Sequence, residues 1–479
     1  MILIAGLFLF QFPRYHPGSD VFENGFSSDT AIPILMINAD YFSPFSLYYW
    51  GQDRFGSWPF LIFRAIGRVF SIHWSAVAVA TGMYLFVHLC MLAYFWSARN
   101  GAWELLAGYA ILHFWPGVAT FIFDLSQPYG WQLGSLFLCF RAADGLYTGR
   151  SKKWISLILF AIFAFLSIWL SPSSVIFIGV YVSRALLAFP RFPSRWIPAL
   201  ATLGIVYQAH TWLRQAVVDY NLQHFLYSFE TPLQWDFSKL ELGIRSILER
   251  NLFFWELALW AGIGILALIY IRRIVGGKSL NKEWAAIAWI LASFAFLLAL
   301  APLNWFELNQ FAARYIVLPR YFLPLGAALL FFHWLRGFTR LPRFFYNLVA
   351  GAALIPLFIC FPVGHHTSAY AIRIKEADFL EQRFPGIPIM GNYWNTYVYS
   401  ALQEHPNLPQ PGLDEYTRTP FLRPEILEST ELIVNHTGFD YFLKNGEPVE
   451  SLRFGGQRYI LEGPRIKFEN LDLSLYRKK

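Results

Sequence analysis

Long apolar runs separated by short polar segments occupy most of the chain up to Pro362. Many of these runs have the roughly 17–25 residues that a helix needs to cross a bilayer. The pattern predicts about eleven transmembrane helices, several of them short, as is typical of helices that tilt or end part-way around a cavity. The predicted spans are 1–12, 72–96, 102–121, 129–141, 154–170, 173–189, 196–213, 251–271, 284–302, 321–335 and 344–362.

The pattern changes after Pro362, where polar and apolar positions mix. Residues 369–384 have helical periodicity, and three short runs rich in β-forming residues follow. The predicted strands are 387–390, 431–435 and 457–461. We therefore predict a transmembrane domain over 1–362, with a first outer loop over 13–71, and a small α/β domain over 363–479.

Composition agrees with a polytopic α-helical membrane protein. The chain is 56% hydrophobic and 14% charged, whereas soluble proteins carry about 25% charged residues. The net charge of +7 is spread over short loops, which argues against a nucleic-acid partner. The three cysteines all fall inside predicted spans, so neither a disulfide framework nor a Cys-His metal spacing is present.

Lysine and arginine are denser in one set of loops than in the other. By the positive-inside rule, the N-terminus is cytoplasmic, and an odd number of spans places the C-terminal domain outside. We therefore expect an integral membrane protein with its C-terminal domain on the outer face. This topology alone fits a bacterial inner membrane and also the endoplasmic reticulum.

Carboxylates are scarce in this chain, so those in the first outer loop are the best candidates for chemistry. Asp29 precedes the apolar run 30–37, and either Ser28 or Asp29 could cap an interfacial helix there. Asp53 lies in a second polar segment, followed by the amphipathic stretch 58–70. Two in-plane helices flanking a polar turn would form a floor at the membrane surface.

Such a floor suits transfer from a lipid-linked phosphosugar. A carboxylate would deprotonate an acceptor hydroxyl or bind a divalent metal ion, a role for which Asp29 is the first candidate. Arginine would hold the leaving phosphate. Aromatic rings such as those of Tyr49 and Trp50 would pack against a sugar or a prenyl chain. The structural alternatives are a helix cap for Asp29 and a local turn for Asp53.

These motifs resemble the GT-C superfamily of membrane glycosyltransferases, in particular its RgtA/B/C/D-like and protein-mannosyltransferase-like group. The segment 28–31, Ser-Asp-Thr-Ala, takes the place of the acidic motif after the first helix, and the segment 49–56 resembles the aromatic and polar loop that follows. The resemblance implies a GT-C-like fold and a polyprenyl-phosphate sugar donor. It also implies a bacterial inner membrane, with a periplasmic or extracellular C-terminal domain. The acceptor would be a glycan, a lipid or a protein. Asp29 and Asp53 would be catalytic, Arg54 would contact the donor phosphate, and Gln52 would contact the substrate.

A late loop contains Arg314-Tyr315 and then Pro319-Arg320-Tyr321. It resembles the Arg-Tyr…Pro segment that enters a late helix in this group, which implies that Arg314 or Arg320 holds the lipid phosphate. The alternative is interfacial anchoring, because arginine and tyrosine both favour headgroups.

Four further residues are candidate substrate contacts. Asp124 and Gln127 lie on the same predicted outer face as the first loop. Tyr393 and Trp394, in the C-terminal domain, resemble a Tyr-Trp-x-x-Tyr segment of some relatives. Packing of the C-terminal domain against the membrane domain is the alternative for this pair.

Two other functions stay open. A transporter or lipid flippase would explain the spans, but few acids lie deep inside them and no paired broken helices occur in corresponding halves. A non-catalytic membrane scaffold is the second alternative.

Overall fold

The computed structural model describes most of the chain. The described residues are 28–38, 42–50, 55–96, 101–115, 117–148, 153–188, 196–224, 234–252, 254–274, 282–336, 368–391, 393–405, 409–411, 430–436, 443–444, 447–454 and 457–479. The predicted spans 1–12 and 344–362 lie outside them.

Helices dominate the described residues before position 337. They are α1 (Ser28–Asn38), α2 (Trp58–Phe70), α3 (Ala76–Phe95), α4 (Gly101–Phe114), α5 (Val118–Ile122), α6 (Tyr129–Thr148), α7 (Lys153–Leu170), α8 (Ser174–Ala188), α9 (Ile197–His224), α10 (Leu240–Ser246), α11 (Phe254–Ile274), α12 (Lys282–Leu300), α13 (Asn304–Leu308) and α14 (Val317–Arg336). Short 3-10 segments at Pro44–Leu47, Phe237–Lys239 and Ala313–Ile316 and a π turn at Ile247–Asn251 connect them.

Three predicted spans differ clearly from the observed helices. The run 196–213 is only the first part of α9, which continues to His224. The run 102–121 is two helices, α4 and α5, because Gly117 takes a positive φ of 73° between them. The run 129–141 is the start of α6, which continues to Thr148.

Four described helical segments are long and apolar enough to cross a membrane: Ala76–Phe95, Lys153–Leu170, Glu283–Leu300 and Ala313–Phe332. Twenty helical residues rise about 30 Å, the thickness of a hydrocarbon core. Shorter apolar helical segments occur at Ser174–Leu186 and Glu256–Ile271. Large apolar side chains also point outward from α7, α9 and α11, among them Trp154, Ile158, Ile205, Trp212, Ile265 and Leu268.

Aromatic rings fill the core where α6, α8, α12 and α14 meet. The rings of Phe140 and Tyr181 stack at 4.1 Å between centroids. Trp289 lies 6.1 Å from Phe140 and 5.6 Å from Phe322. These four side chains are fully buried, so they fix the spacing of the four helices that carry them.

The C-terminal part contains a small sheet, as the sequence predicts, together with the predicted helix over 369–384 and a second helix that the sequence analysis missed. Its elements are α15 (Ser368–Arg383), β1 (Ile389–Gly391), α16 (Tyr393–Leu402), β2 (Pro409–Pro411), β3 (Leu432–His436), β4 (Leu443–Lys444), β5 (Glu447–Pro448), β6 (Ser451–Phe454), β7 (Gln457–Phe468) and β8 (Leu471–Lys478). The six-stranded sheet has the order β2-β1-β3-β8-β7-β6, while β4 and β5 pair separately. β1 is parallel to β2 and β3, and the remaining pairs of the sheet are antiparallel.

Adjacent strand residues separate onto the two faces of this sheet, as the pleat requires. Ile389 and Val434 pack with Leu380 of α15 on one face. Met390 and Ile433 pack on the other face. The sheet is therefore buried on both sides.

Helix α16 joins the C-terminal part to the helical core. It packs against α1, and its buried residues Tyr397, Val398 and Ala401 belong to the same apolar cluster as Ile34 of α1. The helix that carries Asp29 is thus covered by a helix from the far end of the sequence.

Candidate active site

Asp29 lies in the first turn of α1, where the helix dipole favours a negative charge. The helix is buried almost all round, with Ala31 and Ile34 at 0% exposure. Pro33 removes the N–H that would bond the Asp29 carbonyl in a regular helix. Asp29 itself remains partly exposed. The buried helix α1 therefore holds one accessible carboxylate in its first turn.

Asp124 lies in the turn between α5 and α6. Its Oδ1 accepts a hydrogen bond of 2.9 Å from the backbone N–H of Ser126. Burial raises the pKa of the Asp124 carboxyl, and the negative charge of Asp29 raises it further, while the Ser126 bonds and the positive charge of Arg314 lower it. Asp29, Asp124 and Arg314 are therefore close enough for their charges to act on one another, although they come from distant parts of the sequence.

Arg314 is held by neutral acceptors. Its Nη2 donates to Asn309 Oδ1 at 3.0 Å and to the hydroxyl of Tyr315 at 3.3 Å. The indole of Trp305 donates to the same hydroxyl at 3.0 Å. The Nε of Arg314 is buried and has no hydrogen-bond partner. None of these partners neutralises the guanidinium, so its charge remains available to the carboxylates and to an anionic ligand.

The turn before Arg314 has an uncommon backbone. Gln310 and Phe311 take positive φ values of 54° and 57°, a conformation that strains residues other than glycine and that clusters at functional sites. Phe311 is buried and packs against Phe306 with 5.1 Å between ring centroids. This packing holds the strained turn in place and fixes where the segment 313–316 begins.

Tyr49 lies beside Asp124. Its hydroxyl donates to the Leu125 carbonyl at 3.3 Å. Burial raises the pKa of Tyr49, and the charge of Asp124 adds to the rise. Tyr49 is thus a neutral phenol in the wall of the site.

A bridge closes the polar segment that follows Tyr49. Tyr48 and Gly56 form an isolated antiparallel bridge, and the N–H of Gly56 donates to the Trp169 carbonyl at 2.8 Å. Trp50 is buried and its indole donates to Ser46 Oγ at 3.2 Å. The predicted residues Gln52, Asp53 and Arg54 lie between the bridged ends and outside the described residues.

The remaining predicted residues take different positions. Gln127 is buried, and its amide donates to Ser126 Oγ at 3.2 Å, so it supports the turn that carries Asp124. Tyr393 and Trp394 are the first residues of α16; their side chains lie outside the described part of the structure.

Arg320 forms a buried ion pair with Glu256, at 2.9 Å between Nη2 and Oε2. The Trp115 indole donates to the other carboxylate oxygen at 2.9 Å. The Arg320 charge is therefore matched inside the protein, and Arg314 is the stronger candidate for contact with a phosphate. Glu256 was not among the predicted residues, although a single acid near the start of an apolar span was a signal for it.

No group of three or more His, Cys, Asp or Glu side chains in the described part of the chain could hold a metal ion. Mg²⁺ commonly keeps several waters and binds through one or two carboxylates. Asp29 and Asp124 would suit an ion bound in that way, and it would supply Lewis-acid stabilisation of a phosphate.

No protein-family model matches the chain, and no curated protein is similar to it in sequence. The residues of the site are therefore the basis for its chemistry. They are a carboxylate at a helix end, a second carboxylate with a raised pKa, an arginine with neutral partners and a buried phenol.

Proposed function

We propose that the chain is an integral membrane glycosyltransferase of GT-C type. It moves a monosaccharide from a polyprenyl-phosphate donor to a glycan, lipid or protein acceptor at the outer face of a bacterial inner membrane. The convergence of Asp29, Asp124 and Arg314 carries this proposal. It groups a base, a second acid and a cation at one site.

The helical part supports a membrane location for this chemistry. Four segments have the length and apolarity of membrane spans, and large apolar side chains such as Ile205 (70% exposed) and Trp212 (68%) point away from the protein. Helix α2 adds an outward apolar stripe of Ile62, Ile66 and Val69, typical of a helix in the membrane interface. A polyprenyl chain would stay in the bilayer while its head group meets the site.

The proposed reaction is a single displacement with inversion at the sugar carbon. Asp29 takes the proton of the acceptor hydroxyl as the acceptor oxygen bonds to the anomeric carbon. The bond from that carbon to the phosphate oxygen breaks, and the electron pair leaves with the polyprenyl phosphate. Arg314 balances the charge on the leaving phosphate. Asp124, with its raised pKa, is suited to a hydrogen bond with a sugar hydroxyl.

The direct test is transfer of radiolabelled sugar from a panel of polyprenyl-phosphate sugars by the purified protein in lipid. Asp29→Asn is expected to lower transfer by about 10²–10⁴-fold, the contribution of a general base, while donor binding persists. Arg314→Gln is expected to weaken donor binding. Asp236→Asn, at an exposed site whose carboxylate bonds Ser238, is the matched control and should keep full transfer.

Two outcomes would contradict the proposal. Transfer that survives in Asp29→Asn would remove the base from this site. Absence of both transfer and donor binding across the panel, with a folded protein, would favour a transporter or a scaffold.

A further inference from the structure

An apolar groove of about 430 Å³ runs along the line where α8 packs against α12. Val175 and Val180 of α8 and Ile287 and Leu291 of α12 contribute to its walls. The lining from Val175 to Leu186 covers eleven helical steps, or about 16 Å. That length suits an extended hydrocarbon chain lying between the two helices.

One end of the groove is polar, where Ser183, Arg184 and Trp284 line it. Arg184 is 5% exposed and its Nη2 pairs with Asp144, but its Nε makes no hydrogen bond. Trp284 is 1% exposed, and its indole N–H also has no acceptor. Within the described residues, two buried donors at the end of the apolar groove therefore have no acceptor.

This polar end lies far from the candidate active site. Asp144, the partner of Arg184, is fifteen residues after Tyr129 on the same helix, which corresponds to about 22 Å. Tyr129 is at the other end of the helix, close enough to Arg314 for the two groups to interact electrostatically. The groove is thus a separate feature at the opposite end of the helical bundle.

The sequence around this end is basic. The segment 189–195, which follows α8 in the chain, contains Arg191 and Arg195, and Lys278 and Lys282 come at or just before the start of α12. The acids are Glu283 and the Arg184 partner Asp144. Basic pockets between helices on the cytoplasmic side of a membrane bind anionic lipid head groups.

We propose that the groove binds one acyl chain of an anionic phospholipid, with the phosphate at the end formed by Ser183, Arg184 and Trp284. The chain packs between α8 and α12, and the head group complements the local positive charge. This site does not depend on the transfer reaction and would exist in a protein with no such activity.

The test uses photoactivatable phosphatidylglycerol and phosphatidylcholine, both with a diazirine in the acyl chain, added to the purified full-length protein. Labelled peptides are mapped by mass spectrometry. We expect phosphatidylglycerol to label peptides covering 175–186 and 284–291, and phosphatidylcholine to label them about tenfold less. Equal labelling by both lipids would overturn the proposal.

Gly179→Leu is the variant that fills the groove. A Cβ at Gly179 meets only Leu203 Cδ2, at 3.8 Å, so the larger side chain enters open space. The matched control is Gly262→Leu on α11, where nothing lies within 4 Å of the added Cβ. We expect labelling of 175–186 and 284–291 to fall about tenfold in Gly179→Leu, because the added side chain replaces lipid contacts, and to stay unchanged in Gly262→Leu.

Ser183→Asp tests the head-group end without altering the apolar walls. The new negative charge is expected to lower phosphatidylglycerol labelling several-fold, while the uncharged Ser183→Asn keeps it. Undiminished labelling in both Gly179→Leu and Ser183→Asp would show that the lipid binds elsewhere.

Discussion

Arg320 and Glu256 form an ion pair inside the helical core, at 2.9 Å, with the guanidinium 7% exposed and the carboxylate not exposed at all. The pair joins α14 to α11, and the Trp115 indole ties the end of α4 to the same carboxylate. Gly117 lies against this pair, since a Cβ there would be 3.3 Å from Arg320 Nη1. This one buried charge pair therefore connects three helices, α4, α11 and α14.

Removing one charge of this pair should be costly. Glu256→Gln is expected to lower the free energy of unfolding by about 3–5 kcal/mol, because it removes the negative charge that pairs with the buried Arg320 guanidinium. Thermal unfolding of the purified protein in detergent measures the loss. The control is Glu249→Gln, whose ion pair with Arg245 is 59% and 70% exposed and should contribute less than about 1 kcal/mol. Equal losses in the two variants would contradict this role.

Asp124 should make stability depend on pH. Its pKa is raised in the folded protein, mainly by burial, so the folded state holds the proton more tightly than the unfolded state does. The stabilisation from Asp124 is complete below the unfolded pKa of about 3.9 and is lost as pH rises through the folded pKa. Asp124→Asn should therefore melt at a higher temperature than the wild type at neutral pH, and the difference should disappear near pH 4.

Asp236 is a control whose substitution should change the melting temperature in the opposite direction. The pKa of Asp236 is lowered in the folded protein, first by the hydrogen bond from the Ser238 side chain. Its carboxylate therefore stabilises the fold at neutral pH, and this stabilisation is lost as pH falls through the folded pKa. Asp236→Asn should melt below the wild type at neutral pH and approach it in acid. Two variants that shift the melting temperature in the same direction at neutral pH would refute the assignment for Asp124.

Gly56 should not accept a side chain. A Cβ there would lie 2.3 Å from the backbone oxygen of Trp169, the atom that Gly56 bonds through its own N–H. We expect Gly56→Ala to destabilise the protein by about 1–3 kcal/mol and to disturb the polar segment next to it. In Gly262→Ala, at an open and exposed helical position, stability should rise by up to about 1 kcal/mol. The melting temperature should therefore fall in Gly56→Ala and rise in Gly262→Ala; an unchanged or higher value in Gly56→Ala would contradict the prediction.

The proposed orientation can be tested with single cysteines. Glu404 is exposed in the C-terminal part and Lys153 is exposed at the start of α7. In intact cells, a membrane-impermeant maleimide should label Glu404→Cys, and it should label Lys153→Cys only after permeabilisation. Of the three native cysteines, Cys90 and Cys139 are buried and Cys360 lies outside the described residues, so the unsubstituted protein is the labelling control. The reverse pattern would invert the orientation.

The bounds of single helices could be predicted from the sequence more accurately than the packing contacts between helices. The apolar run 154–170 predicted a helix within one residue of its observed bounds, because an apolar run of that length has few other stable conformations. The break at Gly117 was missed although Pro116-Gly117 is a turn signal, since the apolar run continues on both sides of it.

Contacts between segments far apart in the chain could not be predicted from the sequence. Arg320 and Glu256 are separated by 64 residues, and nothing in either local pattern points to the other. Asp29, Asp124 and Arg314 were expected on one face of the membrane, but the distances between them could not be predicted. Their proximity is a consequence of how the helices pack, which depends on side-chain shapes across the whole core.

The contact between α1 and α16 sets an order for assembly during synthesis. Asn38 ends α1 and Tyr393 begins α16, so the ribosome adds about 355 residues between them, which takes roughly 20–70 s at about 5–20 residues per second. For that interval the helix bearing Asp29 lacks the surface that later covers it. A chain that terminates before α16 could insert its first helices, but the helix that carries Asp29 would never gain the surface that covers it.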